Sequence, residues 1–159
     1  MVSFLQRCNI SYGLIDTYSI PKDFSDACIA KAKLLNLNME GPDSIAPYMI
    51  VGVAIGYLSY KHINNIDLEV HIALFTATVT YLDDNLEKHV DSLSQFAKRF
   101  TNSEAQADLP TKSLDKILRE TSNFYDGICK NMLISSTFNF ITALILQYKL
   151  QGAPVRTIY

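Results

Sequence analysis

Tyr81-Leu82-Asp83-Asp84-Asn85-Leu86-Glu87 sets three carboxylates at the end of an otherwise apolar stretch, and the reading of the chain starts from what must surround them. On a continuous helix Asp83 and Glu87 stand four residues apart and share a face, with Asp84 about 100° round from Asp83. Like charges at that spacing repel one another unless a cation sits among them. Oxygen donors with no Cys or His beside them suit a hard ion such as Mg2+, which keeps several waters and is completed by substrate phosphate. The stretch therefore points to a magnesium-bound phosphate or diphosphate. The competing reading is a solvated helix end, where Asp-Asp-x-x-Glu arises by chance.

The residues before the carboxylates favour the first reading. Leu68, Ile72, Phe75, Val79, Leu82 and Leu86 follow heptad-like spacing, which predicts a helix with a buried stripe. Helical spacing backward from Asp83 reaches Val79, Thr80 and Thr76, so small, weakly polar or apolar side chains continue the acidic face inward. Asp83, Asp84 and Glu87 then form the rim of a pocket, and Thr76, Val79 and Thr80 are its candidate substrate-contact residues, with helix–helix packing as the plain alternative for each. A metal at the mouth above an unreactive lining suits the departure of diphosphate from a hydrocarbon.

Along the rest of the chain the pattern is all-α, with no alternating run long enough for a sheet. Residues 1–40 read as a weakly ordered preamble holding a helix from about Lys22 to Leu37, opened by Pro21 and turning Phe24, Ala27, Cys28 and Leu35 to the core. After Gly41-Pro42, Asp43 or Ser44 can cap a helix reaching about His62, with Pro47 in its first turn. Asn64 and Asn65 supply a turn into a long helix over about Ile66 to Phe100, with Asp67 and Glu69 in its first turn and a break soon after the acidic stretch. Thr101 to Leu109 reads as a loop closed by Pro110; Thr111 or Ser113 caps a helix with Leu114, Ile117, Leu118 and Phe124 on its apolar side. Asp115 and Arg119 pair on its solvated face. A final helix from about Phe124, broken near Gly127, runs to Leu150 and stops at Gly152 and Pro154.

Composition bounds the function classes. The chain has 159 residues, 48% hydrophobic and 19% charged, with a net charge of −2, as for one soluble domain. Dispersed Lys and Arg give no basic patch for nucleic acid. Cys8, Cys28 and Cys129 are an odd, widely spaced set, and His62, His71 and His89 do not pair with them at ligand spacing, which favours reduced thiols in a cytoplasmic protein. Arg7, Asn9 and Ser11 interrupt any signal-peptide core. Ile45–Tyr60 and Asn131–Tyr148 lack charge, but a spanning helix needs about 20 predominantly apolar residues and the second segment holds several Asn, Ser and Thr, so buried core helices are expected and no membrane partner.

Met49 through Tyr57, Tyr81 through Glu87, and Ser136-Thr137-Phe138-Asn139-Phe140 through Gly152-Ala153-Pro154 together resemble, in order and spacing, the fungal trichodiene synthase-like class I terpene cyclases. The resemblance covers residues 42–155 and implies part of the all-helical isoprenoid synthase fold, with Mg2+-dependent ionisation of farnesyl diphosphate and cyclisation to a sesquiterpene, a carbon–oxygen lyase reaction. By position it makes Asp83 the first metal-binding aspartate and Asp84 and Glu87 the second and last acidic places; Glu87 stands where trichodiene synthase has Asp. It also implies a second metal motif, Asn-Asp-x-x-Ser-x-x-x-Glu, a diphosphate-sensing arginine and a late Arg-Tyr pair, which these residues do not supply. Asn131, Ser135 and Asn139 imitate the second motif's spacing without its carboxylate and read better as hydrogen-bonding residues between helices. The expectation is a single, truncated domain that binds prenyl diphosphate incompletely. The alternative is a non-catalytic helical scaffold, derived from a cyclase, that associates with itself through uncovered apolar faces.

Overall fold

The computed structural model describes residues 20–150, and the expectations attached to Cys8, to the first 19 residues and to the Gly152–Pro154 stop lie outside them. Within that range the chain is all-α: α1 (Lys22–Leu34), α2 (Met49–Tyr60), α3 (Ile66–Asp84), α4 (Leu86–Ser94), α5 (Phe96–Thr101), α6 (Leu109–Glu120) and α7 (Gly127–Leu150). Pro21 precedes α1, where its missing N–H costs nothing, and Phe24, Cys28 and Ala32 form the helix's buried line. Ala27 and Leu35 are only partly buried against the core, while Leu37, beyond the helix end, is fully in it.

The central pair is α2 against α3. A Cβ on Gly52 would overlap the Ala73 carbonyl oxygen and come within 2.9 Å of the Ala77 Cβ, and one on Gly56 would come within 2.9 Å of the Ala73 Cβ. Glycine is needed at both because the two backbones approach that closely, an approach that offsets its helix-propensity cost of about 1 kcal/mol each. A 3-10 turn over Ala46–Tyr48 takes up Pro47 before α2 begins. Neither expected residue caps α2: Ser44 Oγ accepts the Ala46 N–H at 3.1 Å, ahead of the 3-10 turn, and Asp43 is directed to Tyr81. Asn64, at φ 54°, makes the turn into α3, and Asn65 Oδ1 accepts the Leu68 N–H at 3.2 Å.

On α3 the buried face differs from the heptad stripe. Val70, Ala73, Leu74, Ala77, Thr78 and Tyr81 are buried, whereas Leu68, Ile72, Phe75 and Val79 are half-buried; only Leu82 and Leu86 of the stripe are fully covered. The reason is that α3 packs against α1, α2 and α6, and the closest of these contacts, with α2, selects small side chains rather than large ones. The long helix expected to Phe100 is three helices. α3 ends at Asp84; Asn85 adopts φ −114°, ψ 24°; a second interruption falls at Gln95.

Helix α6 begins at Leu109, with Pro110 inside its first turn rather than closing a loop. Its cap is Asp108, whose Oδ1 accepts the Thr111 N–H at 2.9 Å while Thr111 Oγ1 accepts the Asp108 N–H at 3.4 Å, a reciprocal capping box. The Asp115–Arg119 pair forms as spaced, at 2.7 and 3.1 Å, but its face is not simply solvated. Arg119 also donates to the Phe100 carbonyl at 3.1 Å and lies 4.5 Å from the Phe100 ring centroid, so the pair fastens α6 to α5.

Helix α7 starts at Gly127 and buries only Thr137, Ile141 and Leu144. It packs against α4, and Phe138 stands edge-on to Phe96 and Phe100 at 6.2 and 5.6 Å. Asn131, Ser135 and Asn139 are exposed, which corrects the expectation that they bond to a neighbouring helix. Among the described residues α7 is the one helix long and apolar enough, by length and composition alone, to cross a membrane. The other uncharged segment, α2, buries half of its residues in the core, among them both close-packed glycines.

Candidate functional site

The helix boundary changes the geometry of the acidic stretch. Asp83 and Asp84 occupy the last positions of α3, Asn85 breaks the helix, and Glu87 lies in the first turn of α4, so the shared face of a continuous helix does not exist. Asp83 and Asp84 are half-buried and Glu87 is exposed. Among the described residues no three His, Cys, Asp or Glu side chains come close enough together to hold a metal ion by themselves. Mg2+ does not require three: one or two carboxylates, waters and a substrate phosphate complete its octahedron. The adjacent Asp83 and Asp84, all-oxygen donors at a partly open position, fit that mode.

Below Asp83 on the same helix face, Val79 and Phe75 form one wall of an apolar cleft of about 520 Å3. Cys129, Met132, Leu133, Ser136, Thr137 and Phe140 of α7 form the other. Of the three expected contour residues Val79 lines this cleft; Thr76 is half-buried beside it and Thr80 is buried, and neither forms its wall. The α7 side was legible only in part. Its lining positions recur at helical spacing through the Ser136–Phe140 run, but nothing in the sequence says which face of α7 meets α3.

On the opposite face of α3, about 200° round from Val79, Tyr81 enters a buried polar chain. Its hydroxyl lies 3.0 Å from His89 Nε2 on α4, and His89 Nδ1 lies 2.9 Å from Asp108 Oδ2 at the start of α6. The Asp43 carboxylate is 3.2 Å from the same hydroxyl. A carboxylate only accepts, so His89 Nδ1 carries the hydrogen given to Asp108; the single hydroxyl hydrogen of Tyr81 has His89 and Asp43 within reach. Burial, then the nearby Asp43 charge, push the Tyr81 phenol well above its usual range. For Asp108 burial acts upward, but hydrogen bonds from Thr111, Ser92 and His89 outweigh it and hold the carboxyl low. Asn85, at the break, donates to the Tyr48 hydroxyl at 3.1 Å and to the Tyr81 carbonyl at 3.0 Å. Sequence spacing does not reveal this chain, because Tyr81 and His89 face one another only across a helix break.

No family model matches the chain. It is 30% identical over 158 residues to alpha-cuprenene synthase COP6 of Coprinopsis cinerea, a fungal sesquiterpene synthase. That relative is a terpene cyclase by name. The alignment takes in 97% of this chain and 47% of the relative, so the chain spans about half the length of the curated cyclase it matches. The all-α architecture agrees with a terpene synthase fold, and the similarity extends through both the acidic stretch and the helix that walls the apolar cleft.

Proposed function

We propose that residues 20–150 form the first wall of a cyclase pocket that takes a prenyl diphosphate, with farnesyl diphosphate the substrate of the trichodiene synthase-like reading. One observation carries this: Phe75 and Val79 line an apolar cleft, and Asp83 follows them on the same face of α3, so a hydrocarbon and a charged headgroup would each meet matching chemistry. Asp83 and Asp84 are the residues that would hold Mg2+, and Glu87, across the break, would reach the ion through water. Bound there, Mg2+ would neutralise charge developing on the departing diphosphate. Phe75, Val79, Met132, Leu133 and Phe140 would lie along a prenyl chain, and the Phe75 and Phe140 faces can stabilise positive charge, while Cys129, Ser136 and Thr137 bring a thiol and two hydroxyls to the same lining.

Among the described residues one acidic motif is placed to hold the cation that would compensate the headgroup charge, and the cleft is open on one side, so binding is the activity proposed for residues 20–150. The setting proposed is cytoplasmic, consistent with the free thiols of Cys28 and Cys129. Calorimetric titration of inorganic pyrophosphate and of farnesyl diphosphate, with and without Mg2+, tests the reading. Heat that requires Mg2+ and disappears in Asp83→Ala is the expected result; binding indifferent to both overturns it. Gas chromatography–mass spectrometry of the same incubations shows whether any cyclic hydrocarbon forms.

A second reading rests on the uncovered apolar side of α7: a helical scaffold that associates with a second copy. It predicts an oligomer whose stability ignores Mg2+ and Asp83→Ala.

A further inference from the structure

The buried chain behind the acidic stretch joins four separate parts of the fold at the point where α3 gives way to α4. Tyr81 is 2% exposed and His89 4%, yet each spends its polar atoms on the other and on Asp43 and Asp108 rather than on solvent. Asp43 comes from the segment before α2, Tyr81 from α3, His89 from α4 and Asp108 from the cap of α6. The Tyr48 ring stands edge-on to Tyr81 at 5.4 Å and its hydroxyl accepts from Asn85, the residue that breaks the helix. Lys88 Nζ donates to Asn85 Oδ1 at 3.0 Å from the far side of the break. None of these groups faces the cleft. Their bonds instead clamp the backbone on both sides of Asn85.

We infer that the Asp43–Tyr81–His89–Asp108 chain positions the acidic stretch, by fixing the bend at Asn85 and thereby the placement of Asp83 and Asp84 relative to Glu87. The inference rests on the functional reading above for its metal, but the clamp itself is a property of the fold. Tyr81 and His89 are positioning residues: they touch neither ion nor substrate. A buried hydrogen bond contributes modestly to net stability, so its loss relaxes a local angle without unfolding the chain.

Tyr81→Phe removes the hydroxyl and keeps the ring. Leu118→Ala, which opens a cavity in α6 away from the bend, serves as the control for general destabilisation. Two measurements are made on the full 159-residue chain: amide hydrogen exchange over residues 85–88, and the Mg2+ concentration that half-saturates pyrophosphate binding. In Tyr81→Phe exchange at those amides is expected to rise about tenfold, and half-saturating Mg2+ to rise about threefold to tenfold, the scale of one lost hydrogen bond; neither moves in Leu118→Ala. Asp43→Ala, which removes the partly exposed end of the chain, is expected to give a smaller shift in the same direction and decides the matter if Tyr81→Phe folds poorly. Unchanged exchange and unchanged Mg2+ dependence in both variants overturn the inference, as does an equal response in Leu118→Ala. Wild-type protein that shows no Mg2+-dependent binding overturns the functional reading and the metal half of the inference with it, while exchange separately decides whether the chain fixes the bend.

Discussion

His71, on α3, is buried against the Phe124 ring, whose centroid lies 4.8 Å away, and burial holds its imidazole neutral down to about pH 4; the Glu120 charge works against that shift and Lys31 with it. The unfolded chain takes up the proton near 6.5 while the folded chain does not until about 4, so stability is lost as pH falls through that window and not further below it. Full loss amounts to about 3 kcal/mol. Urea unfolding at several pH values is expected to show a shallower acid decline in His71→Gln than in the parent. The thiols divide as sharply. Cys28, fully buried, is pushed up to about 12, whereas Cys129 is exposed and raised by its hydrogen bond to Asp126 and by that carboxylate's charge. In a Cys8→Ser background, Ellman's reagent is expected to modify Cys129 in the folded protein and Cys28 only after unfolding, with Asp126→Asn speeding the first reaction.

Among the helices, the α2–α3 contact makes the strongest claim. Gly52→Ala would force apart two backbones held at the Ala73 carbonyl, and a loss of about 3 kcal/mol is expected in denaturant unfolding, where the same change at an exposed helical site would gain about 1 kcal/mol. Asp108→Ala removes both the α6 cap and the His89 partner, and a comparable loss of about 3 kcal/mol is expected. These two elements also show what the sequence could convey. Helix existence was legible where a breaker marked an end: Pro21 before α1, Asn64 and the Asn65 cap before α3, and Gly127, expected as a break within the last helix, at the head of α7. Facing was not, because the heptad count on α3 follows large side chains, whereas the closest packing there uses Ala73 and Ala77 against glycine. The Pro110 reading failed because a proline at a first turn and one at a loop end look alike until the Asp108 cap is seen. At the site, Val79 and Asp83 could be placed on one face from spacing alone; the α7 wall and the Tyr81–His89 bond depend on tertiary contacts that spacing does not encode.

For the molecule as a whole, the imbalance lies in α7. Ile128 is 72% exposed, Met132 65%, Leu146 53% and Leu150 63%, an apolar surface on one long helix that the other described helices leave uncovered. Sedimentation velocity is expected to show concentration-dependent association, and Ile128→Lys combined with Leu146→Lys to return the chain to monomer with unchanged far-ultraviolet circular dichroism. The same asymmetry gives the helices an order of assembly. The Gly52 and Gly56 contact joins helices separated by a single short turn, so it closes a small loop at little entropic cost, whereas α7 must wait for α4 and α5 to present their faces. Folding then nucleates on the α2–α3 hairpin and condenses outward: Ala77→Gly should slow refolding, and Leu144→Ala should chiefly hasten unfolding.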